Sequence, residues 1–86
     1  MKLLNQQIDM ISWTSKEGIV TPVRFRIEED GETTVIRVGQ VIQTETNHFS
    51  GTTTLLFRCS SVIRGIEKIY ELTYNCGNQK WLLKKM

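Results

Sequence analysis

The chain has 86 residues, of which 40% are hydrophobic and 23% are charged, and its formal net charge at pH 7 is +2. These values are typical of one small soluble domain, which we expect to occupy residues 1–86, and they exclude an argument for nucleic-acid binding from net charge alone. No apolar run approaches the ~20 residues that cross a bilayer, and polar residues interrupt the apolar start before it could form a signal peptide. The sequence therefore predicts a cytoplasmic protein that makes no use of a membrane.

Alternation of apolar and polar residues predicts β-strands along the whole chain, because successive side chains of a strand point to opposite faces. The first predicted strand covers about Ile8–Thr14, and residues 2–7 form either an extra strand or a frayed end. The second covers about Ile19–Glu29, with Pro22 at a strand start or facing an edge, since proline cannot donate to a ladder. No segment combines helical spacing with good helix caps.

The dipeptide Asp30-Gly31 is a favoured pair for a two-residue hairpin turn, because such turns need positive φ. A two-residue turn fixes the register of the hairpin. The predicted cross-strand pairs are Glu29–Glu32, Arg26–Val35, Phe25–Ile36, Arg24–Arg37 and Val23–Val38. We expect the third strand to continue past Gly39 towards Thr46, with a bulge or sharp bend at the glycine, as at the corner of a small barrel.

The second half of the chain follows the same alternation. A predicted turn at residues 47–51 leads into a strand of about Thr52–Ile63, and further turns are expected at Arg64-Gly65 and around Gly77-Asn78. The resulting pairs are Leu55–Tyr74, Phe57–Leu72, Arg58–Glu71, Cys59–Tyr70, Tyr74–Trp81, Leu72–Leu83 and Glu71–Lys84. Both registers keep the apolar residues on one face, and a slip of one residue would move all of them to the other.

Strands joined by short turns make a meander, and such a sheet buries one face by curling. We therefore predict an all-β fold, a single small antiparallel meander of about six strands that forms a partly open barrel. The predicted core consists of Val23, Phe25, Ile36, Val38, Leu55, Phe57, Leu72, Tyr74, Trp81 and Leu83.

Side chains that could support catalysis are few and scattered. The one histidine, His48, lies in a predicted turn with no recognisable acid or nucleophile beside it. Cys59 and Cys76 lie about 20 Å apart in the predicted register, so both thiols should be free. Neither a zinc site nor a glycine-rich phosphate loop can be assembled. We predict that the protein is not an enzyme and has no catalytic residue, metal or cofactor.

One group of basic residues stands out. Arg24, Arg26 and Arg37 share a face of the predicted hairpin, and Arg24 lies directly across from Arg37. Like charges opposite each other destabilise a sheet, so the arrangement invites an anionic partner. Trp13 on the adjoining strand would add an aromatic ring, as in some single-strand binders. Alternatively, these arginines belong to a solvated charged face that nearby glutamates balance.

A family resemblance rests on four short strings: Pro22-Val23-Arg24-Phe25-Arg26, Phe57-Arg58-Cys59, Tyr70-Glu71-Leu72-Thr73-Tyr74 and Trp81-Leu82-Leu83. Together they resemble small bacterial all-β proteins classed as domains of unknown function, in which an RFR strand opens the domain and a tyrosine- and tryptophan-containing hairpin closes it. The similarity covers residues 8–86. It implies the same small sheet or barrel and brings no catalytic or binding residue with it.

The sequence thus favours a small non-catalytic binding module whose partner is a protein, in an interaction or accessory role. One mode for such a partner is the addition of a strand at the edge next to Pro22. The alternative is a weak binder of nucleic acid or another polyanion, which would use Arg24, Arg26, Arg37 and Trp13. An enzyme is the least favoured class. The identity of the partner and the oligomeric state stay open.

Overall fold

The computed structural model, which describes residues Met1–Met86, is one seven-stranded antiparallel sheet. The strands are β1 (Leu3–Thr14), β2 (Val20–Glu29), β3 (Glu32–Arg37), β4 (Gln40–Phe49), β5 (Thr52–Ile63), β6 (Ile66–Asn75) and β7 (Lys80–Lys85). Their order across the sheet is β3-β2-β1-β7-β6-β5-β4, which confirms the predicted all-β fold. The structure contains no helix that is long and apolar enough to cross a membrane.

The sheet has seven strands instead of about six because the predicted third strand is divided at Gly39. β3 and β4 lie at opposite edges of the sheet although only Val38 and Gly39 separate them, so the sheet has to roll. At this corner the N–H of Gly39 donates to the carbonyl oxygen of Ser60 over 2.9 Å. A β-carbon at residue 39 would lie 3.0 Å from that oxygen, which explains the glycine. The two edges form no ladder with each other, and the barrel stays partly open.

The hairpin registers expected from the turns are confirmed. Asp30 and Gly31 both have positive φ, 49° and 77°, as a type I′ turn requires. β2 and β3 form the predicted pairs, the last of which, Val23 with Val38, is seen as a backbone hydrogen bond. β5 pairs with β6 as predicted, and so does β6 with β7 at Leu72 and Tyr74.

Two local predictions are wrong. β4 continues through Phe49, so His48 lies in a strand, because a tight two-residue turn at Ser50-Gly51 is sufficient to reverse the chain. A bulge inserts one extra residue into β7, and Glu71 therefore lies opposite Lys85 instead of Lys84. The open question about residues 2–7 is answered by β1, which already begins at Leu3.

β1 is shared between the two halves of the sheet. Its first half pairs with β7 and its second half with β2, from Asp9 opposite Arg26 onwards. A bulge at Val23 then changes which side chains of β2 face the core. Pro22 is consequently buried. β3 pairs with β2 only between Arg24 and Glu29, so Val20–Pro22 extend beyond it with β1 as their one partner strand. The sheet is therefore open next to Pro22, and from Arg24 onwards its edge is formed by β3.

Nine buried residues form one core cluster: Phe25, Ile27, Ile36, Phe57, Cys59, Tyr70, Leu72, Trp81 and Leu83. All residues of the predicted core belong to this cluster or pack against it, except Val23, which is half-buried at the bulge. Aromatic rings meet inside the cluster at distances typical of favourable pairs. The ring centroids of Phe25 and Tyr70 are 5.4 Å apart, and those of Phe57 and Trp81 are 5.5 Å apart.

A buried chain of hydrogen bonds holds the corner together. Ser61 Oγ donates to the carbonyl oxygen of Arg37 over 2.7 Å and lies 2.6 Å from the hydroxyl oxygen of Tyr70. Because the serine hydroxyl has a single hydrogen, Tyr70 is the donor to Ser61. Burial raises the pKa of Tyr70 to about 12, so the phenol keeps its proton at neutral pH. This chain of hydrogen bonds connects β3 to β5 and β6, the strands across the opening.

Candidate binding surface

The second half of β1 together with β2 and β3 presents one face to solvent. Met10, Phe25 and Ile36 pack in or against the core, so the residues next to them along each strand point outward. The outward side chains are Asp9, Ile11, Trp13, Arg24, Arg26, Glu28, Val35 and Arg37. We name this surface the arginine face. It includes all four of the site residues predicted from the sequence.

Arg24 and Arg37 lie directly opposite each other in β2 and β3, as predicted. Both are exposed, and neither takes part in the ion pairs of the structure, which are Arg26 with Asp9 and Arg58 with Glu71. Two guanidinium groups at a cross-strand position repel each other and lower the stability of the hairpin. An anion placed between them would remove that repulsion.

Arg26 differs from the other two arginines because it has a counter-ion. Its Nε and Nη2 both donate to Oδ2 of Asp9, at 3.1 Å and 2.5 Å. These hydrogen bonds and the charge of Asp9 raise the pKa of Arg26 above its ordinary value. The fold therefore brings the three predicted arginines onto one face and leaves two of them, Arg24 and Arg37, without a carboxylate.

Exposed apolar side chains lie among these charges. Trp13 is 63% exposed, Val35 is 62% exposed and Ile11 is 52% exposed. A groove of about 480 Å³ crosses the face between β1 and β3, with Ile11, Arg24 and Val35 among its lining residues. The sequence alternation already turns Ile11 and Val35 outward, but single exposed apolar residues are common, so alternation alone does not mark them as functional.

A second groove, of about 610 Å³, opens where β1 leaves β2 to join β7. Its lining is mostly polar, and the side-chain amide of Gln6 donates to the carbonyl oxygen of Glu28 over 3.2 Å, bridging the gap between β1 and β2. Asp9 and Arg26 line both grooves, so their ion pair lies between the two grooves. The amides and charges of this groove can form hydrogen bonds to a ligand, but they include no nucleophile with a base beside it.

The remaining chemically versatile residues are dispersed. His48 lies on β4, where its Nδ1 is 3.0 Å from Oγ1 of Thr53. Cys59 is buried, which raises the pKa of its thiol to about 12 and keeps it protonated, whereas Cys76 is exposed in the last turn. Both cysteines are free, as predicted. Nowhere in the chain do three His, Cys, Asp or Glu side chains gather in a way that could hold a metal ion.

Comparison with protein-family models, with curated proteins and with solved structures finds no match for this chain. The resemblance to small bacterial all-β proteins, which rests on the RFR strand and the closing hairpin, therefore stays a prediction.

Proposed function

We propose that the protein is a non-catalytic cytoplasmic binding module that holds a protein partner on the arginine face. The observation that carries the proposal is that two arginines without counter-ions and the exposed ring of Trp13 lie on one face of the sheet. Tryptophan and arginine are the side chains that most often dominate the binding energy of protein interfaces. Ile11 and Val35 supply apolar surface around them, as the centre of an interface requires.

Charge indicates what kind of partner surface fits. A carboxylate placed between Arg24 and Arg37 could accept hydrogen bonds from both guanidinium groups and relieve their repulsion. The partner is therefore expected to present acidic side chains next to apolar ones. A partner with acidic residues alone would leave the apolar surface uncovered, and a partner with apolar residues alone would leave the two arginines without a carboxylate. The contact is therefore specific for a partner that has both.

The test is affinity capture from a lysate of the source cells, with quantitative mass spectrometry. The wild type is compared with Trp13→Ser/Arg24→Ser on the arginine face and with Ile69→Ser, which alters an exposed apolar residue on β6. Proteins held by the wild type and by Ile69→Ser, and lost with the double variant, would support the proposal. Equal capture by all three proteins would contradict it.

A second candidate function, polyanion binding, uses the same surface. It is favoured by the position of Trp13, since an aromatic ring on the same face as free arginines can stack a base while the cations contact phosphates. With Arg26 held by Asp9, two contacts remain, and log K should fall against log salt with a slope of about −1.4 for single strands and about −1.8 for duplexes. Failure of both oligothymidylate and a duplex of equal length to bind at low salt would exclude this function and leave the protein partner.

A further inference from the structure

The outer edge of β3 carries backbone groups that the fold does not use. The N–H of Val38 donates to the carbonyl oxygen of Val23 over 2.9 Å, so Val38 directs its backbone groups towards β2. In an antiparallel pair this direction alternates, and Thr34 and Ile36 also point to β2. Thr33, Val35 and Arg37 point away from it, towards the free edge.

Only one of these outward groups has a partner. The carbonyl oxygen of Arg37 accepts the hydrogen bond from Ser61 Oγ at the corner. The N–H and C=O of Thr33 and Val35, and the N–H of Arg37, face an edge at which no strand pairs. β3 also lacks the lysine, proline or bulge that often protects an edge strand. The edge is therefore free to accept a further strand.

The opposite side of the opening is also unpaired. β4 begins at Gln40, opposite Ser60, so the last residues of β5 extend beyond it without a strand on that side. Val62 lies in this extension and is 71% exposed. Val35 and Val62 are thus exposed apolar residues of β3 and β5, the two strands that meet at the corner.

We propose that this edge binds an extended acidic segment of the partner protein by strand addition along Thr33–Val35, up to the point where Ser61 of β5 meets Arg37. The inference rests on the proposed function and specifies how the partner is held. A strand paired with β3 sends alternate side chains onto the arginine face. The residue opposite Val35 would then be Glu, because Arg24 and Arg37 lack counter-ions and a long side chain reaches the diagonal positions of a sheet.

A second copy of this chain fits the edge less well. Two-fold symmetric antiparallel pairing of β3 centred on Val35 would place Val35 against its own copy and Arg37 against Thr33. Neither Arg24 nor Arg37 would gain a carboxylate in that arrangement. Charge complementarity therefore favours an acidic segment from a different protein.

The decisive variant is Val35→Pro. It removes an N–H that the fold leaves unpaired, and proline is tolerated in edge strands where the N–H faces solvent. The matched control is Val35→Thr, which keeps the N–H and the β-branched shape. The probe is a fluorescein-labelled peptide of alternating Glu and Val, measured by fluorescence anisotropy. We expect the wild type and Val35→Thr to bind it and Val35→Pro to bind at least about tenfold more weakly.

Two measurements make the result independent of the stability of that variant. The same peptide with N-methyl groups on alternate amides should lose binding to the wild type, because it cannot complete the ladder. Hydrogen exchange on the wild type should show new protection at Thr33 and Val35 when the peptide binds, and little change at Thr34 and Ile36, which already face β2.

Three outcomes would overturn the inference. The first is absence of binding by the wild type at low salt. The second is equal binding by wild type and Val35→Pro with loss in Trp13→Ser, which would leave the proposed function intact and place the peptide on the face without strand addition. The third is a concentration-dependent dimer that Val35→Pro converts to monomer, which would assign the edge to a second copy.

Discussion

Two hairpins of this sheet place charged residues directly opposite each other on its outer face. In the β5–β6 hairpin, Arg58 faces Glu71, and Nη2 of Arg58 lies 3.1 Å from Oε2 of a glutamate side chain that is only 8% exposed. In the β2–β3 hairpin, Arg24 faces Arg37 and neither has a counter-ion. The cross-strand arrangement is the same, so the side chains make the difference. We expect the first pair to stabilise the fold and the second to lower its stability.

The largest difference between the two hairpins should appear at alkaline pH. Cys59 and Tyr70 face each other across β5–β6, and burial raises the pKa of each to about 12. In the unfolded chain they ionise at about 8.5 and about 10, so above about pH 9 the folded state holds more protons than the unfolded state. Their contribution is fully present at neutral pH and is lost as the pH rises towards 12.

Urea unfolding measured at a series of pH values checks this expectation. Stability of the wild type should decline steeply above about pH 9. Cys59→Ala should be less stable at neutral pH, because it creates a cavity, but its decline with pH should be shallower. Parallel curves for the two proteins would show that the thiol takes no part.

Replacing Glu71 by Arg gives β5–β6 the same like-charge pair as β2–β3. We expect a loss of about 3 kcal/mol in the free energy of unfolding, because the change removes the partner of Arg58 and buries a second cation beside it. Glu71→Gln should cost about 1 kcal/mol, since a hydrogen bond to Arg58 remains possible. Chemical denaturation measures both. If Glu71→Arg were as stable as the wild type, the charges of these cross-strand pairs would not account for any difference in stability between the two hairpins.

The corner that joins the two regions should be sensitive to Ser61→Ala. This change leaves the hydroxyl of Tyr70 buried without an acceptor, and the expected loss is about 1–3 kcal/mol. Adding Tyr70→Phe to Ser61→Ala removes the orphaned hydroxyl and should restore part of the stability. A double variant that loses the sum of the two single effects would contradict the hydrogen-bond chain.

The smallest expected effect comes from Arg37→Glu, which gives β2–β3 the opposite-charge pair found in β5–β6. The free energy of unfolding should rise by about 0.2–1 kcal/mol, because an attraction to Arg24 replaces a repulsion. Binding of an acidic partner should be lost in the same variant. A decrease in stability would show that Arg24 and Arg37 do not strain the hairpin.

How far the sequence could predict this structure depended on the connections between strands. The two-residue turns at Asp30-Gly31 and Arg64-Gly65 fix the register of their hairpins, so the pair of Arg24 with Arg37 could be read directly from the sequence. The connection between β1 and β2 is longer and is followed by a bulge. The residues of a long loop or a bulge do not reveal which residues pair across it, so the register of β1 with β2 could not be predicted.

The missing register explains what was overlooked at the candidate site. Asp9 could not be placed opposite Arg26, so the neutralisation of one of the three arginines went unseen. The bulge in β7 was missed for the same reason, because a bulge adds a residue without a distinctive side chain. β3 has a free edge because the chain leaves it at Gly39 and continues as β4 at the opposite edge of the sheet. This separation follows from the rolling of the whole sheet, which no local sequence pattern reveals.

The pairing of β1 with both β2 and β7 sets an order of events during folding. The hairpins β2–β3, β4–β5, β5–β6 and β6–β7 each join strands that follow one another along the chain, so they can form as soon as their residues are synthesised. The first half of β1 pairs with β7, the strand of the sheet that is farthest from it in sequence. We therefore expect this ladder to form last and to join the two parts of the sheet.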